Sequence, residues 1–292
     1  LFDAVRGVQK RIVSNDDGTE ATNATFLTSF DTDGFTMGGS DAVNGSDNYA
    51  SWNWKANGAG SANTDGSISS TVSANTTSGF SIVSYTGTGA NATVGHGLGT
   101  TPSMIIAKNR SATGNWRVYH KSLGANYLIQ LDLTGAALDN TTWNDTAPTS
   151  SVFSISSVAD VNGSGNNIIA YCFAEKKGYS KFGSYTGNGN ADGTFVYTGF
   201  KPAWIMVKRT DSAVSWTILD NKRDPFNVTT ERLFADQNVA GSVGTNANTD
   251  FLSNGFKIRV NHNNFNTSGG NYIYMAFGQS LVGSNNTPCT AR

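Results

Sequence analysis

Short runs of apolar residues, several of them alternating with polar ones, recur along this chain between turns rich in Gly, Asn and Asp. A period of two with bulky side chains on one face is typical of a strand that buries one side. In the middle of the chain, strands are predicted at residues 80–85, 103–108, 116–120, 126–132, 152–157 and 168–173. Many short strands between such turns predict an all-β fold of tandem antiparallel β-sandwich domains, jelly-roll-like in character.

The same pattern returns after a shift of one hundred positions. The residues that are identical at this offset are Tyr85/Tyr185, Gly87/Gly187, Gly89/Gly189, Pro102/Pro202, Ile105/Ile205, Lys108/Lys208 and Trp116/Trp216. The unit is longer than the roughly 20–50 residues of solenoid repeats and large enough for a small domain with its own core. Duplicated small domains favour a spacer or a multivalent binding protein over an enzyme.

The second half of the unit occurs three times, which predicts matching strands at residues 48–54, 167–173 and 271–277. One face of these strands is shared by the copies: Ala50/Ile169/Ile273, Trp52/Tyr171/Met275 and Trp54/Phe173/Phe277. We expect this shared face to be core. Leu1-Phe2-Asp3 aligns with Ile218-Leu219-Asp220, so the first copy starts in mid-unit. We expect upstream residues or a neighbouring subunit to complete it.

The repeats divide the chain into five predicted segments. Residues 1–57 are the C-terminal half of a first β repeat, and residues 58–78 are a Gly/Ser/Thr-rich linker or an extended segment laid on a partner. Residues 79–178 and 179–283 are two full β-sandwich repeats, and residues 284–292 are a polar tail. Only residues 229–237 resemble a helical turn or two, with Thr229 or Thr230 as the N-cap.

Composition narrows the classes of partner. Charged residues make up 14% of the chain, below the ~25% that is typical of soluble domains. The net charge is −1, so no nucleic acid partner is expected. No apolar run approaches the ~20 residues that cross a bilayer, so membrane insertion is not expected either. Two distant cysteines, Cys172 and Cys289, exclude a disulfide framework.

The residue types that usually carry catalysis are sparse and unclustered. His96, His120 and His262 have no ligand spacing, and His96 aligns with Tyr197 of the next repeat. Nucleophile elbows and phosphate-binding loops are absent from the sequence, and most aspartates stand in turns. We expect no enzyme activity, no metal and no cofactor. A carboxylate pair assembled between subunits and a calcium ion in loops 16–20 or 44–47 are weaker alternatives.

Aromatic residues are the remaining functional candidates. Trp143 and Phe265 lie in polar loops beside Asn144 and Asn263, outside the aligned strands. An aromatic ring framed by hydrogen-bonding side chains matches the apolar faces and hydroxyls of a sugar. These four residues are therefore the candidate glycan-binding site. The alternative is that each ring packs against another subunit.

Two segments carry a resemblance to a known family. Tyr85-Thr86-Gly87-Thr88-Gly89, with Val94-Gly95-His96-Gly97-Leu98-Gly99 and the run from Pro102 to Lys108, resembles a repeat of tail-fibre-like virion proteins of marine bacteriophages. Asn44-Gly45-Ser46 followed by Trp52-Asn53-Trp54-Lys55 is similar to another part of them. Members of the family often carry an upstream lectin-type sandwich.

The resemblance implies a non-enzymatic virion structural protein, a tail fibre or another surface appendage, that attaches to host cell-surface glycans. Its expected place is the virion surface, outside the cell, in contact with other virion proteins. Phage fibres are commonly trimeric, so a homotrimer is expected by analogy. Two alternatives stay open: a purely structural spacer that decorates a capsid or forms a filament, and a glycan-degrading tailspike.

Overall fold

The computed structural model describes residues 1–278, almost all of whose regular structure is strand. The strands are β1 (Lys10–Arg11), β2 (Ala21–Thr22), β3 (Leu27–Phe30), β4 (Phe35–Met37), β5 (Ser61–Asn63), β6 (Ser70–Asn75), β7 (Phe80–Thr86), β8 (Ala92–Gly95), β9 (Met104–Asn109), β10 (Arg117–His120), β11 (Tyr127–Gln130), β12 (Leu138–Asp139), β13 (Val152–Ile155), β14 (Asn167–Phe173), β15 (Ser180–Thr186), β16 (Phe195–Tyr197), β17 (Pro202–Arg209), β18 (Thr217–Asp220), β19 (Glu231–Phe234), β20 (Ser242–Val243), β21 (Thr249–Leu252), β22 (Gly255–Ile258) and β23 (Asn271–Gly278). The helices are single turns, α1 (Asp41–Asn44), α2 (Ala159–Asn162) and a 3₁₀ helix at Thr141–Trp143. The predicted tail at residues 284–292, with Cys289, lies outside the described residues.

The chain forms two compact units. Unit 1 comprises Leu1–Tyr119, Gly124–Leu128 and Asp139–Ala174. Unit 2 comprises His120–Leu123, Ile129–Leu138 and, of the described residues that follow, 175–278. Both are antiparallel β-sandwiches, as the repeated alternation predicted, and the all-β fold class is confirmed.

The core of unit 1 lies between two sheets. The larger has eight strands in the order β12-β11-β10-β9-β14-β7-β6-β5, and the smaller pairs β13 with β8. Their facing side chains form one buried apolar cluster that includes Val83, Tyr85, Ile105, Phe153 and Ile168. Cys172 is part of this cluster, and burial raises the pKa of its thiol.

Unit 2 repeats the same two layers with fewer strands. Its larger sheet has the order β15-β23-β17-β18-β19-β20, and its smaller sheet the order β16-β22-β21. The core between them includes Val207, Phe256, Phe265, Tyr272 and Tyr274. Tyrosines at two positions make this core more aromatic than that of unit 1, because Tyr272 and Tyr274 replace Ile168 and Ala170.

The shared face of β14 and β23 is buried, as predicted. The opposite, variable face is buried too, and it forms the cores between the two sheets: Ile168, Ala170 and Cys172 in β14, and Tyr272, Tyr274 and Ala276 in β23. In unit 1 the segment 1–57 contacts the shared face, since the Trp54 ring lies edge-on to Phe173 and Asp3 accepts a hydrogen bond from the Tyr171 hydroxyl.

Two predictions fail within unit 1. Residues 48–54 form no strand. Their counterparts β14 and β23 are each held between two strands of their own repeat, and residues 1–57 contain no copies of those strands. Residues 58–78 are not a linker, because they form β5 and β6, and β6 pairs with β7 from Ser70↔Tyr85 to Asn75↔Phe80. The side chains of Ile68 and Val72 attach this segment to unit 1, since both are buried in its core.

The predicted helical turn at residues 229–237 is also wrong. This segment contains β19, in which Phe234 pairs with Thr217 and Leu233 with Ile218 of β18. Pairing with a neighbouring strand overrides the local helix propensity, which is worth only a few tenths of a kcal/mol per residue (about 0–0.7).

A buried asparagine explains the Tyr-Thr-Gly-x-Gly motif of unit 1. Asn162 Oδ1 accepts from Thr88 N at 2.7 Å, and Asn162 Nδ2 donates to Ala90 O at 2.5 Å and Ser156 O at 2.9 Å. The Tyr85 hydroxyl donates to Val161 O at 2.7 Å. A Cβ at Gly87 would overlap the main chain at residues 162–163, so only glycine allows this approach.

Unit 2 contains the same arrangement. Asn266 Oδ1 accepts from Asn188 N at 2.9 Å, and Nδ2 donates to Asn190 O at 2.7 Å and Val260 O at 3.1 Å. The Tyr185 hydroxyl donates to Phe265 O at 2.8 Å. The repeat seen in the sequence is therefore a repeat of hydrogen bonds as well as of strands.

Each unit also holds an extended segment from earlier in the chain. In unit 1, Trp116 Nε1 donates to Val13 O at 2.9 Å and Lys108 Nζ donates to Asp17 O at 2.8 Å. The main chain adds a bond from Glu20 N to Arg110 O at 3.2 Å. We call residues 13–20 the docked segment of unit 1.

The docked segment of unit 2 is residues 130–137. Trp216 Nε1 donates to Gln130 O at 2.7 Å, and Lys208 Nζ donates to Thr134 O at 3.1 Å. Ala137 N donates to Thr210 O at 2.8 Å. Trp116 and Trp216 thus have equivalent surroundings, and both side chains are buried.

We expect Asn162→Ala and Asn266→Ala each to lower the free energy of unfolding by about 2–3 kcal/mol, because each leaves buried main-chain groups without a partner. Chemical denaturation measures the loss. Asn261→Ala is the control, since Asn261 is exposed and its replacement should cost no more than about 0.5 kcal/mol. Equal effects of all three substitutions would contradict the assigned role of the buried asparagines.

Candidate functional site

The two aromatic rings of the predicted glycan site are buried. Trp143 is 1% exposed and Phe265 is 0% exposed. Trp143 lies edge-on to Tyr119 in unit 1, and Phe265 belongs to the core of unit 2. The prediction that these rings contact a sugar is therefore wrong, because a polar loop in the sequence can turn its one large apolar side chain inward.

The two asparagines of that prediction serve their own loops. Asn144 ends the 3₁₀ helix with a φ of 50° and accepts a hydrogen bond from Asn91 Nδ2 at 2.7 Å. Asn263 accepts from the Thr267 hydroxyl at 2.9 Å. Asn144 lies in unit 1 and Asn263 in unit 2. The four predicted residues therefore do not form one site.

The titratable groups that could take part in chemistry are engaged in the fold. His96 Nδ1 accepts from Leu98 N at 3.2 Å, and His120 Nδ1 accepts from Ser122 N at 3.2 Å. The sequence alignment of the two repeats matched His96 with Tyr197. The strand pairings of β8 and β16 show that Gly95 is the residue equivalent to Tyr197, so that alignment was wrong by one position. Within residues 1–278 no group of three His, Cys, Asp or Glu side chains is placed to hold a metal ion.

An exposed pair of aromatic rings lies on the small sheet of unit 2. Phe195 is 43% exposed and Tyr197 is 65% exposed, whereas Val196 between them is buried. The alternation of β16 therefore points both rings away from the core. We call Phe195, Tyr197 and the charged residues beside them the aromatic face.

Each of these rings lies close to a glycine. Phe195 crosses onto β22, where its ring carbons lie 3.0–3.1 Å from the position that a Cβ on Gly255 would take. The Tyr197 ring lies 3.6–3.8 Å from the corresponding position on Gly199, whose φ is 85°. A Cβ at Gly255 would overlap the main-chain oxygen of Val196, at 2.1 Å, as well as crowd the Phe195 ring.

A network of ion pairs borders the rings. Phe195 pairs across the sheet with Lys257, whose Nζ lies 2.7 Å from Asp192 Oδ1. Arg259 joins the network, 3.3 Å from Asp192 and 3.4 Å from Asp250. The Lys257 hydrogen bond holds the pKa of Asp192 below its usual range, so this exposed carboxylate stays ionised. Two cations and two anions leave the face close to neutral.

Unit 1 has no such face at the corresponding position. Thr93 and Gly95 stand where unit 2 has Phe195 and Tyr197. The segment before β6 covers them, with hydrogen bonds of 2.9 Å from Ser67 N to the Thr93 hydroxyl and from Thr93 N to the Ser67 hydroxyl. The aromatic face is therefore a feature of one repeat, and among residues 1–278 the strand that carries it is the last of its sheet.

The chemistry of the aromatic face matches a carbohydrate better than a charged polymer. Aromatic rings stack on the C–H faces of a sugar. The Asp192 carboxylate can accept hydrogen bonds from sugar hydroxyls, and the neighbouring ammonium and guanidinium groups can donate to them. The near-zero charge gives no long-range attraction for polyanions. The two exposed rings could have been found by aligning the repeats on the buried valine, because Thr93-Val94-Gly95 then corresponds to Phe195-Val196-Tyr197.

The chain belongs to the family described as Domain of unknown function (DUF7483), whose model matches residues 1–280. No curated protein and no solved structure matches the chain. Among residues 1–278, no helix has the length and apolar character that would let it cross a membrane.

His120 generates a prediction about acid stability. Burial lowers the pKa of His120 in the folded chain to about 4, from 6.5. The unfolded chain therefore binds a proton below about pH 6.5, while the folded chain binds it only near pH 4, so stability falls as the pH drops through this window. The loss is about 3 kcal/mol at most.

Denaturant unfolding between pH 7 and pH 4 measures this effect. His120→Gln should remove the largest single part of the histidine contribution to the slope between pH 6.5 and pH 4, and buried His96, whose pKa burial also lowers, contributes to the rest. His262→Gln should remove less, because His262 is only half-buried. An unchanged slope in His120→Gln would show that the buried imidazole does not cause the acid sensitivity.

Proposed function

We propose that this chain is part of a non-enzymatic bacteriophage virion appendage, such as a tail fibre, and that it attaches to glycans on the host cell surface through the aromatic face of unit 2. The observation that carries the proposal is the pair of exposed rings, Phe195 and Tyr197, beside the ion pairs of Asp192. The resemblance to virion proteins of marine bacteriophages supports the setting. The virion surface, outside the cell, is the proposed location.

A neutral contact surface suits attachment in a salty medium. At such ionic strength, attraction between charges is screened beyond about 10 Å or less. Recognition then depends on stacking and short hydrogen bonds. One aromatic face binds a sugar weakly, and several copies on one appendage would multiply the effect through effective concentration. The proposal therefore includes assembly of several copies of the chain, with other virion proteins as neighbours.

A purely structural spacer is the second candidate. The observation that favours it is the docked segment in each unit, which holds successive stretches of chain together by the same Trp and Lys hydrogen bonds. Such interlocking suits a part that transmits force or sets a distance. The two roles are compatible within one appendage, and a binding experiment separates them.

We expect Phe195→Ala and Tyr197→Ala each to weaken glycan binding about tenfold, because each removes a stacking ring. The probes are an array of neutral oligosaccharides and polysaccharides from the surface of marine bacteria. Tyr127→Ala is the control, an aromatic residue in unit 1 that is about as exposed as Phe195 (42% against 43%) and lies outside the aromatic face. It should leave binding unchanged.

A hydrolysis assay on the same polysaccharides completes this test. Binding without cleavage that depends on Phe195 and Tyr197 supports the proposal. Binding that all three variants retain would place the site elsewhere, and no binding at all would favour the spacer. Release of shorter oligosaccharides would overturn the non-enzymatic assignment in favour of a tailspike.

A further inference from the structure

The loop before β16 is longer than its counterpart in unit 1. In each unit it starts at the residue whose carbonyl accepts from the buried asparagine, Ala90 or Asn190, and runs to the buried valine, Val94 or Val196. Three residues lie between these points in unit 1 and five in unit 2, and Asp192 is among the five. The longer loop and the exposed rings therefore occur in the same repeat and change the same surface.

Hydrogen bonds fix the main chain of this loop on both sides of Asp192. The fully buried Asn266 donates from Nδ2 to Asn190 O at 2.7 Å, and Asp192 N donates to Asn190 Oδ1 at 2.9 Å. Gly193 N donates to Ile258 O at 3.0 Å. A Cβ at Gly193 would lie 2.5 Å from that same oxygen, so glycine permits the close approach to β22. Asp192 is therefore held in one place beside the small sheet.

The strand register places the charged partners of Asp192 on the outer side of the small sheet. Phe195 of β16 pairs with Lys257 of β22, and Lys257 pairs in turn with Asp250 of β21. Residues directly opposite each other on neighbouring strands point to the same side of a sheet. All three side chains therefore lie on the side away from the core, and Arg259 contacts Asp250 there at 3.4 Å.

The four charged side chains differ in how much of each is exposed. The Asp192 side chain is 74% exposed, whereas those of Lys257, Arg259 and Asp250 are 27%, 40% and 19% exposed. Both cations contact Asp192 Oδ1, at 2.7 Å from Lys257 and 3.3 Å from Arg259. The most exposed charge beside the two rings is therefore a carboxylate, and the two cations next to it already bind it.

A carboxylate in this position distinguishes two classes of glycan. An uncharged sugar can donate hydroxyl hydrogen bonds to it. A uronate or sulfate group has no proton to donate at neutral pH and brings a second negative charge. Like charges side by side in an interface are unfavourable and suppress binding of the wrong partner. Lys257 and Arg259 attract such a group only weakly, because Asp192 and Asp250 already neutralise them.

We propose that Asp192 makes the aromatic face selective for uncharged glycans and excludes glycans that carry uronate or sulfate groups. This inference rests on the proposed function, since it assigns the class of glycan that the same rings bind. The selected sugar places C–H faces on Phe195 and Tyr197 and hydroxyls on Asp192. Without the Asp192 carboxylate, Lys257 and Arg259 would present positive charge to the ligand, and the exclusion of anionic sugars would be lost.

Asp192→Asn tests this selectivity, because it removes the charge and keeps the shape and an accepting oxygen. The probes are neutral oligosaccharides of glucose, galactose and mannose, and the same oligosaccharides after chemical sulfation. We expect the unaltered chain to bind the neutral forms at least about tenfold more tightly than the sulfated forms. Asp192→Asn should reduce that ratio to about threefold or less, and Asp192→Glu should restore it. Raising the salt to about 0.5 M should reduce the difference between Asp192→Asn and the unaltered chain.

Asp211→Asn is the matched control. It removes the same charge from a surface ion pair of unit 2, with Arg209 at 2.6 Å, outside the aromatic face, and should leave the ratio unchanged. Thermal unfolding confirms that each variant is folded.

A ratio that falls only in Asp192→Asn supports the proposal. A ratio that Asp192→Asn alters no more than Asp211→Asn does would overturn it, and so would sulfated forms that the unaltered chain binds as tightly as neutral ones. Either result would leave a glycan site in place. An unaltered chain that binds neither form would instead contradict the proposed function, and this inference with it.

Discussion

The rest of this structure depends on a pair of side chains, one Trp and one Lys, that reach from each sandwich to the main chain of an extended segment. Trp116 and Lys108 hold residues 13–20 in unit 1, and Trp216 and Lys208 hold residues 130–137 in unit 2. Burying an ammonium group is costly unless its hydrogen bonds are made. Burial indeed lowers the pKa of Lys208 to about 8. Each docked segment must therefore place its carbonyl groups where the Trp and Lys side chains can donate to them. The same arrangement occurs in both repeats.

This constraint explains why the repeats are similar inside and different outside. The Tyr85 and Tyr185 turns each close on a buried asparagine, and those bonds tolerate little change. The outer strands are under no such constraint. Unit 1 adds β5 and β6 beside β7, whereas in the described part of unit 2 β15 and β16 are the last strands of their sheets, and β16 carries the exposed aromatic rings. Recognition is accordingly proposed for a surface on which the two units diverge.

The sequence predicted the fold better than the site. Period-two alternation and the hundred-residue offset located β7, β9, β14, β17 and β23, because these strands are long and pair within their own repeat. Residues 48–54 and 58–78 were misassigned since their structure depends on partners distant in the chain. The residues of the proposed site, Phe195 and Tyr197, were missed because loop polarity was taken as exposure at Trp143 and Phe265. A position-by-position comparison of the two repeats around Val94 and Val196 identifies these two residues, whereas loop polarity does not.

Amide hydrogen exchange at Glu20 and Ala137 tests the central claim most directly. Each amide donates from a docked segment to the main chain of its sandwich, to Arg110 O and Thr210 O respectively. If both segments are held as described, the two amides exchange slowly and with similar protection, as amides of the buried strands do. Exchange of either amide at the rate of an exposed turn would contradict the account.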